Sequence, residues 1–167
     1  MESGEMVRPP KKLIEGFREL ATSTIGNVLD DMKISAVIQN IKPISPGFRF
    51  VGGAFTVKEV TGVLGTYTNE DFKLGQVIDA AQDGHVIMID NGGQQVSTWG
   101  GIASFAAQKR GVAGLVVDGG VRDLDEIREF NFPVFFSEAK ARPVVNIKTI
   151  IVILCFKDIS FLPKKPN

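Results

Sequence analysis

The segment Asp118-Gly119-Gly120-Val121-Arg122-Asp123 sets a guanidinium beside a carboxylate, just after two adjacent glycines. The glycines let the backbone turn sharply or come close to a ligand with no Cβ in the way. Arg122 offers a planar fork of donors matched to a carboxylate or phosphate. Asp123 offers a hard oxygen ligand suited to magnesium or manganese. An anion-gripping group next to a cation-holding one is what a metal-chelated acid substrate requires. The same residues also read as a helix start, with Asp123 as N-cap and Glu126 at the third helical position.

A second segment, Trp99-Gly100-Gly101-Ile102-Ala103-Ser104, opens a helix with two glycines. Backbone N–H groups and the positive end of the helix dipole favour an anion there. Glycines that merely permit tight helix–sheet packing would look the same. No Walker Gly-Lys-Ser/Thr follows, and no Gly-x-Gly occurs anywhere, so the dinucleotide fingerprint is absent.

The other candidates are weaker. His85 is the only histidine and Cys155 the only cysteine, which excludes intrachain disulfides, cysteine-cluster zinc sites and two-histidine metal sites. His85 reads as structural, and Cys155, among Ile153, Leu154 and Phe156, as an inert core thiol. Lys148 is the one Schiff-base candidate and reads as solvent-facing. Asp90 and Asp118 read either as acids that support the site residues from behind or merely as turn formers. Phe132, Phe135 and Phe136 read as core.

These residues need a scaffold. Pro9-Pro10 starts a helix carrying Leu13, Phe17 and Leu20 on one face. A second helix follows a Thr22-Ser23 cap, with Ile25, Val28, Leu29 and Met32 aligned. Pro43, Pro46 and Gly47 mark a loop. Residues 50–60 read as a strand in which Gly52-Gly53 signals a bend or close backbone approach. Residues 71–82 read as a helix, with Phe72, Leu74, Val77, Ile78 and Ala81 inward. Val86 to Asp90 is a continuous apolar run that reads as a strand buried on both faces, broken by Asn91-Gly92-Gly93. Helix 100–110, strand 114–118, helix 123–130 and strand 133–136 complete a β-α-β-α-β rhythm. That rhythm predicts an α/β fold with a mainly parallel central sheet and helical crossovers. Ligands in such sheets gather beyond the carboxyl ends of the strands, where Asp90 and residues 118–123 stand.

The 167 residues carry 19 Lys+Arg against 19 Asp+Glu, with 44% hydrophobic and 23% charged. These values suit one globular domain with a substantial core, 1–167, and argue against a dedicated nucleic-acid surface. The first ten residues have no apolar core of a signal peptide, and the most apolar run, 147–156, is too short to span a bilayer. The expected setting is the reducing cytoplasm.

Four segments in order, Gly-His-Val-Ile-Met-Ile-Asp-Asn-Gly-Gly (84–93), Trp-Gly-Gly-Ile-Ala (99–103), Arg-Gly-Val-Ala-Gly-Leu-Val-Val-Asp-Gly-Gly-Val-Arg-Asp (110–123) and Phe-Pro-Val-Phe (132–135), resemble the RraA-like family across about 22–146. That family includes the 4-hydroxy-4-methyl-2-oxoglutarate aldolases, often with oxaloacetate decarboxylase activity. It also includes non-catalytic inhibitors of ribonuclease E and members once labelled demethylmenaquinone methyltransferase. The resemblance implies a β/β/α swivelling-domain fold, a homotrimer with sites between subunits, and a Mg2+- or Mn2+-dependent carbon–carbon lyase acting on small 2-oxo acids. By the same resemblance Arg122 holds the pyruvyl carboxylate, Asp123 holds the metal, and the backbone of Gly100, Gly101, Ile102 and Ala103 contacts substrate. Neither membrane nor nucleic acid is an expected partner.

Two departures accompany the resemblance. The aldolases carry an acidic residue at the position of Gly101. After Asn146 the chain follows its own course, an atypical and shortened C-terminus. The alternative reading is a binding protein that regulates a ribonuclease without catalysis. A methyltransferase is disfavoured for want of a glycine-rich nucleotide loop.

Overall fold

The computed structural model describes residues 9–35, 38–60 and 73–137. Phe72, Lys148 and Cys155 lie outside the described residues. Helices α1 (Lys11–Arg18) and α2 (Thr22–Asp31) lead into the edge strand β1 (Ile41–Pro43). Strand β2 (Gly53–Lys58), helix α3 (Leu74–Ala80) and strand β3 (His85–Trp99) follow. Helix α4 (Gly101–Lys109), strand β4 (Gly114–Val121), helix α5 (Leu124–Glu129) and strand β5 (Val134–Ser137) complete the described fold.

The five strands form one sheet in the order β1-β5-β4-β3-β2. Strands β2 to β5 pair in parallel, and β1 runs antiparallel along β5. This is the mainly parallel sheet with helical crossovers expected from the β-α-β-α-β rhythm. The apolar runs have the double burial that a parallel sheet demands. Phe55, Ile87, Leu115, Val117 and Val134 turn to one face, where they pack with Val77, Ile78, Ala103, Ala107 and Ile127. Val86, Val116 and Phe135 form a smaller cluster with Phe50 and Met88. Phe132 and Phe135 are each 1% exposed, so the phenylalanines after α5 are core as expected.

Several sequence expectations need correction. Strand β3 does not end at Asn91-Gly92-Gly93 but continues to Trp99 through three register shifts against β4. Gly92 and Gly93 both adopt left-handed backbone, which lets the extra residues loop out while the strand stays on its partner. Strand β4 likewise runs three residues further than expected, to Val121. Helix α2 begins at Thr22 with Ala21 as its cap residue, and no side chain caps it. Of its predicted apolar face only Ile25 is buried; Val28 and Met32 are exposed. Pro43 ends β1 rather than belonging to the loop, which an edge strand tolerates because the missing N–H costs no ladder bond. The expected close approach at Gly52 is present: a Cβ there would collide with the backbone oxygen of Gly84.

Candidate functional site

The long β3–β4 ladder delivers Trp99 and Val121 as register partners at the same end of the sheet. The Arg122 N–H donates to the Trp99 oxygen at 3.0 Å, so the turn after β4 is tied to the turn before α4. Trp99 is fully buried, and its indole N–H donates to the equally buried Ser104 Oγ at 2.8 Å. This bond anchors the glycine pair between them. Ser104→Ala leaves the indole N–H without its acceptor and is expected to cost about 1–3 kcal/mol in chemical denaturation.

On this scaffold Arg122, Asp123, Gly100 and Gly101 meet. The Gly101 N–H donates to Asp123 Oδ2 at 3.1 Å, and Arg122 Nε lies 3.6 Å from the same oxygen. Gly100 leaves no room for a side chain: a built Cβ would fall on Asp123 Oδ2 and within 2.9 and 3.0 Å of Arg122 Cγ and Nε. The first helical bond of α4 runs from the Ser104 N–H to the Gly100 oxygen at 3.0 Å. With Gly101 N–H given to Asp123, the amides of Ile102 and Ala103 are the remaining donors of the first turn. The Ile102 side chain is 87% exposed, whereas Ala103 is buried in the core.

Asp123 does occupy the N-cap position of α5, but in left-handed backbone (φ 58°, ψ 42°) and with no side-chain cap bond. An ordinary N-cap residue is extended and bonds its own helix. Here the carboxylate is turned away from α5 and onto α4, at the cost of a backbone region that non-glycine residues seldom occupy. Glu126 behaves in the same way. A capping-box glutamate would reach back to its own N-cap residue. Instead Glu126 Oε2 lies where a Cβ on Gly101 would stand. From the sequence alone, Glu126 reads only as part of a helix start. The side-chain-free Gly101 facing it was the available signal.

A divalent ion would find two hard carboxylates here, Asp123 and Glu126. Among the described residues no group of three or more His, Cys, Asp or Glu is assembled. Hard carboxylate oxygens of this kind match the chemistry of magnesium or manganese, which keep several waters and take one or two carboxylates. The pair does not fit a fully protein-ligated structural ion.

Asp90 and Asp118 lie apart from this pair. They line a cavity of about 550 Å³ with Lys58, Thr56, Met88 and Val116. Lys58 Nζ donates to Asp90 Oδ2 at 2.7 Å, and Asp90 Oδ1 accepts the Gly92 N–H at 3.0 Å. The turn-forming alternative thus describes Asp90. The Lys58 hydrogen bond holds its carboxyl below the usual carboxylate range; partial burial opposes this, and the Gly92 N–H adds to it. A lowered folded-state value stabilises the fold above the ordinary carboxylate range, and that gain fades as pH falls through the lowered value. The pair is largely exposed, so Asp90→Asn should cost no more than about 0.5 kcal/mol near neutrality. That deficit should shrink as pH falls through the lowered value, as read in urea titrations at a series of acid pH values.

His85 is structural, as expected: it is buried, stacks on Phe55 at 6.1 Å, and its Nδ1 accepts the Gln82 N–H at 3.2 Å.

A mostly parallel sheet with helical crossovers, carrying an Arg-Asp pair against a glycine-opened helix, defines the class. The RraA-like family model (Aldolase/RraA) matches residues 22–165, and the chain belongs to that family. Protein DlpA of Legionella pneumophila is 34% identical over 125 residues, covering 74% of this chain and 20% of its own length. A Halalkalibacterium halodurans protein carries the provisional name 4-hydroxy-4-methyl-2-oxoglutarate aldolase. It is 31% identical over 123 residues, covering 73% of this chain and 54% of its own. The chain thus spans a fifth of the first relative and about half of the second. Among solved structures, Streptomyces coelicolor RraAS2, described as an unusual member of the RNase ES inhibitor RraA protein family, superposes with a TM-score of 0.67. It is 23% identical, covering 78% of this chain and 64% of that one, a likeness that concerns the fold. No helix among the described residues is long and apolar enough to cross a membrane.

Proposed function

We propose that this chain is a divalent-metal-dependent carbon–carbon lyase that cleaves small 2-oxo acids such as 4-hydroxy-4-methyl-2-oxoglutarate or oxaloacetate, releasing pyruvate. The observation that carries the reading is the meeting of the Arg122 guanidinium, the Asp123 carboxylate and the α4 N-terminus on one glycine pair. The strained, outward-turned Asp123 supports it further, because a residue serving only its own helix would not be held this way.

Arg122 is 69% exposed at the side chain, so its fork is open to a substrate carboxylate. The Ile102 and Ala103 amides present fixed donors to the same small anion without reorganising when charge develops. Asp123, with Glu126 beside it, would hold Mg2+ or Mn2+. When bound, the ion supplies Lewis-acid stabilisation at the keto oxygen as the carbon–carbon bond breaks. The described site presents no side chain placed as a general base, and we assign proton transfer to a bound water. Exposed Ile102 and Phe105 on α4 support a subunit contact next to the site, as in a homotrimer.

The test is pyruvate release from oxaloacetate and from 4-hydroxy-4-methyl-2-oxoglutarate, with Mg2+ or Mn2+ and with chelator. Metal-dependent turnover lost on Arg122→Ala, through a raised KM together with a lowered kcat, supports the reading. Absence of turnover with either substrate and metal overturns it in favour of a binding role.

A further inference from the structure

The cavity that Asp90 and Asp118 line opens on the face of the sheet away from α3, α4 and α5. Side chains alternate along each strand, so residues level in the ladders stand in rows across that face. Met88 pairs with Thr56 and with Val116, and Val116 with Phe135, which makes one row almost wholly apolar. The next row towards the carboxyl ends of the strands is polar. Asp90 pairs with Lys58 and with Asp118, and one step beyond the Val117–Phe136 pair Asp118 stands beside Ser137. Three residues of each row, those from β2, β3 and β4, line the cavity of about 550 Å³, a volume typical of small-molecule sites. Ile41, the register partner of Ser137, lines it from β1. Charge in the polar row does not balance. Lys58 and Asp90 neutralise each other at 2.7 Å. The Asp118 carboxylate has no hydrogen bond or ion pair among the described residues. Ser137 is 8% exposed, and its hydroxyl has no partner there either. Buried polar groups are ordinarily paired, so a lone hydroxyl beside a lone carboxylate marks a place for a donor.

We infer that this cavity is a binding site for a small primary amine with an apolar body, separate from the Arg122-Asp123 site. The ammonium donates to the Asp118 carboxylate and the Ser137 hydroxyl, and the apolar part lies on Met88 and Val116 against Ile41. An ammonium has three donors and no acceptor, which matches two acceptors side by side. The single uncompensated negative charge of the row disfavours carboxylates and phosphates, the anions that Arg122 attracts. The two sites therefore select opposite charges, and this one stands independently of the lyase reading.

Titration calorimetry on the full chain compares phenethylamine with hydrocinnamate and phenethyl alcohol, which keep the ring and linker and change the charge. Phenethylamine is expected to bind with a Kd of about 1 mM or below, and the other two at least about tenfold more weakly. Asp118→Asn keeps the shape, removes the charge, and should weaken phenethylamine binding by about tenfold or more. Ser137→Ala should weaken it by about three- to fivefold, with the melting temperature unchanged or raised, because it deletes a hydroxyl that the fold leaves unpaired. A serine serving only packing would not produce that split. Arg122→Ala should leave phenethylamine binding as it is. Equal binding of amine and carboxylate overturns the inference, as does the absence of saturable amine binding at millimolar concentration. An Asp118→Asn variant that binds like wild type also overturns it. So does loss of amine binding on Arg122→Ala, which would put the ligand in the other site.

Discussion

Asp123→Asn is expected to lower metal-dependent pyruvate release by about a thousandfold or more while the protein stays folded, a loss near 4 kcal/mol of transition-state stabilisation. Asparagine is chosen because it tolerates the left-handed backbone at φ 58° and can still accept the Gly101 N–H. The substitution therefore removes the charge and little else. Alanine would add backbone strain, so Asp123→Ala is expected to lose activity and some stability together. Thermal unfolding measured beside the activity assay separates the two. Oxaloacetate decarboxylation at the wild-type rate by Asp123→Asn would remove the metal-dependent mechanism.

Gly100→Ala tests the geometry rather than the charge. Its backbone is extended, so an alanine there meets no conformational penalty. The methyl group would instead press on Asp123 Oδ2 and on the middle of the Arg122 side chain, at Cγ and Nε, the two side chains assigned to metal and substrate. Both can swing outward into solvent, so unfolding should shift little. Their relation to the α4 amides should shift by about an ångström, and displacement of that size can cost about a hundredfold in rate. We expect a 30- to 100-fold drop in kcat/KM, on the order of 2–3 kcal/mol, with a near-normal melting temperature. A variant as active as wild type would show that the glycine is there only for helix–sheet packing, the alternative that the sequence left open.

Much of the fold was legible in the chain because apolar runs such as 86–90 and 114–118 admit few arrangements. A short strand with apolar residues on both faces must be covered on both sides, and alternation with amphipathic helices dictates parallel pairing. The Arg122-Asp123 pair stood out as a candidate too, since a guanidinium beside a carboxylate follows two glycines at a strand end, although a helix start accounts for the same residues. The extent of β3 was not. Asn91-Gly92-Gly93 has the composition of a break, and only the ladder with β4 decides that the strand carries on to Trp99.

Residue types and spacing by themselves determined the class of fold, the buried strands and the two glycine-flanked segments in which charge and backbone donors are concentrated. Tertiary structure alone decided where the carboxylates of Asp123 and Glu126 point. Local rules assign both to the start of α5, where a cap bond is within easy reach. The pairing of β3 with β4 instead brings the α4 turn against them, and a glycine pair with no side chains leaves room for both to cross over. That choice depends on contacts between residues more than twenty positions apart, which no local pattern encodes.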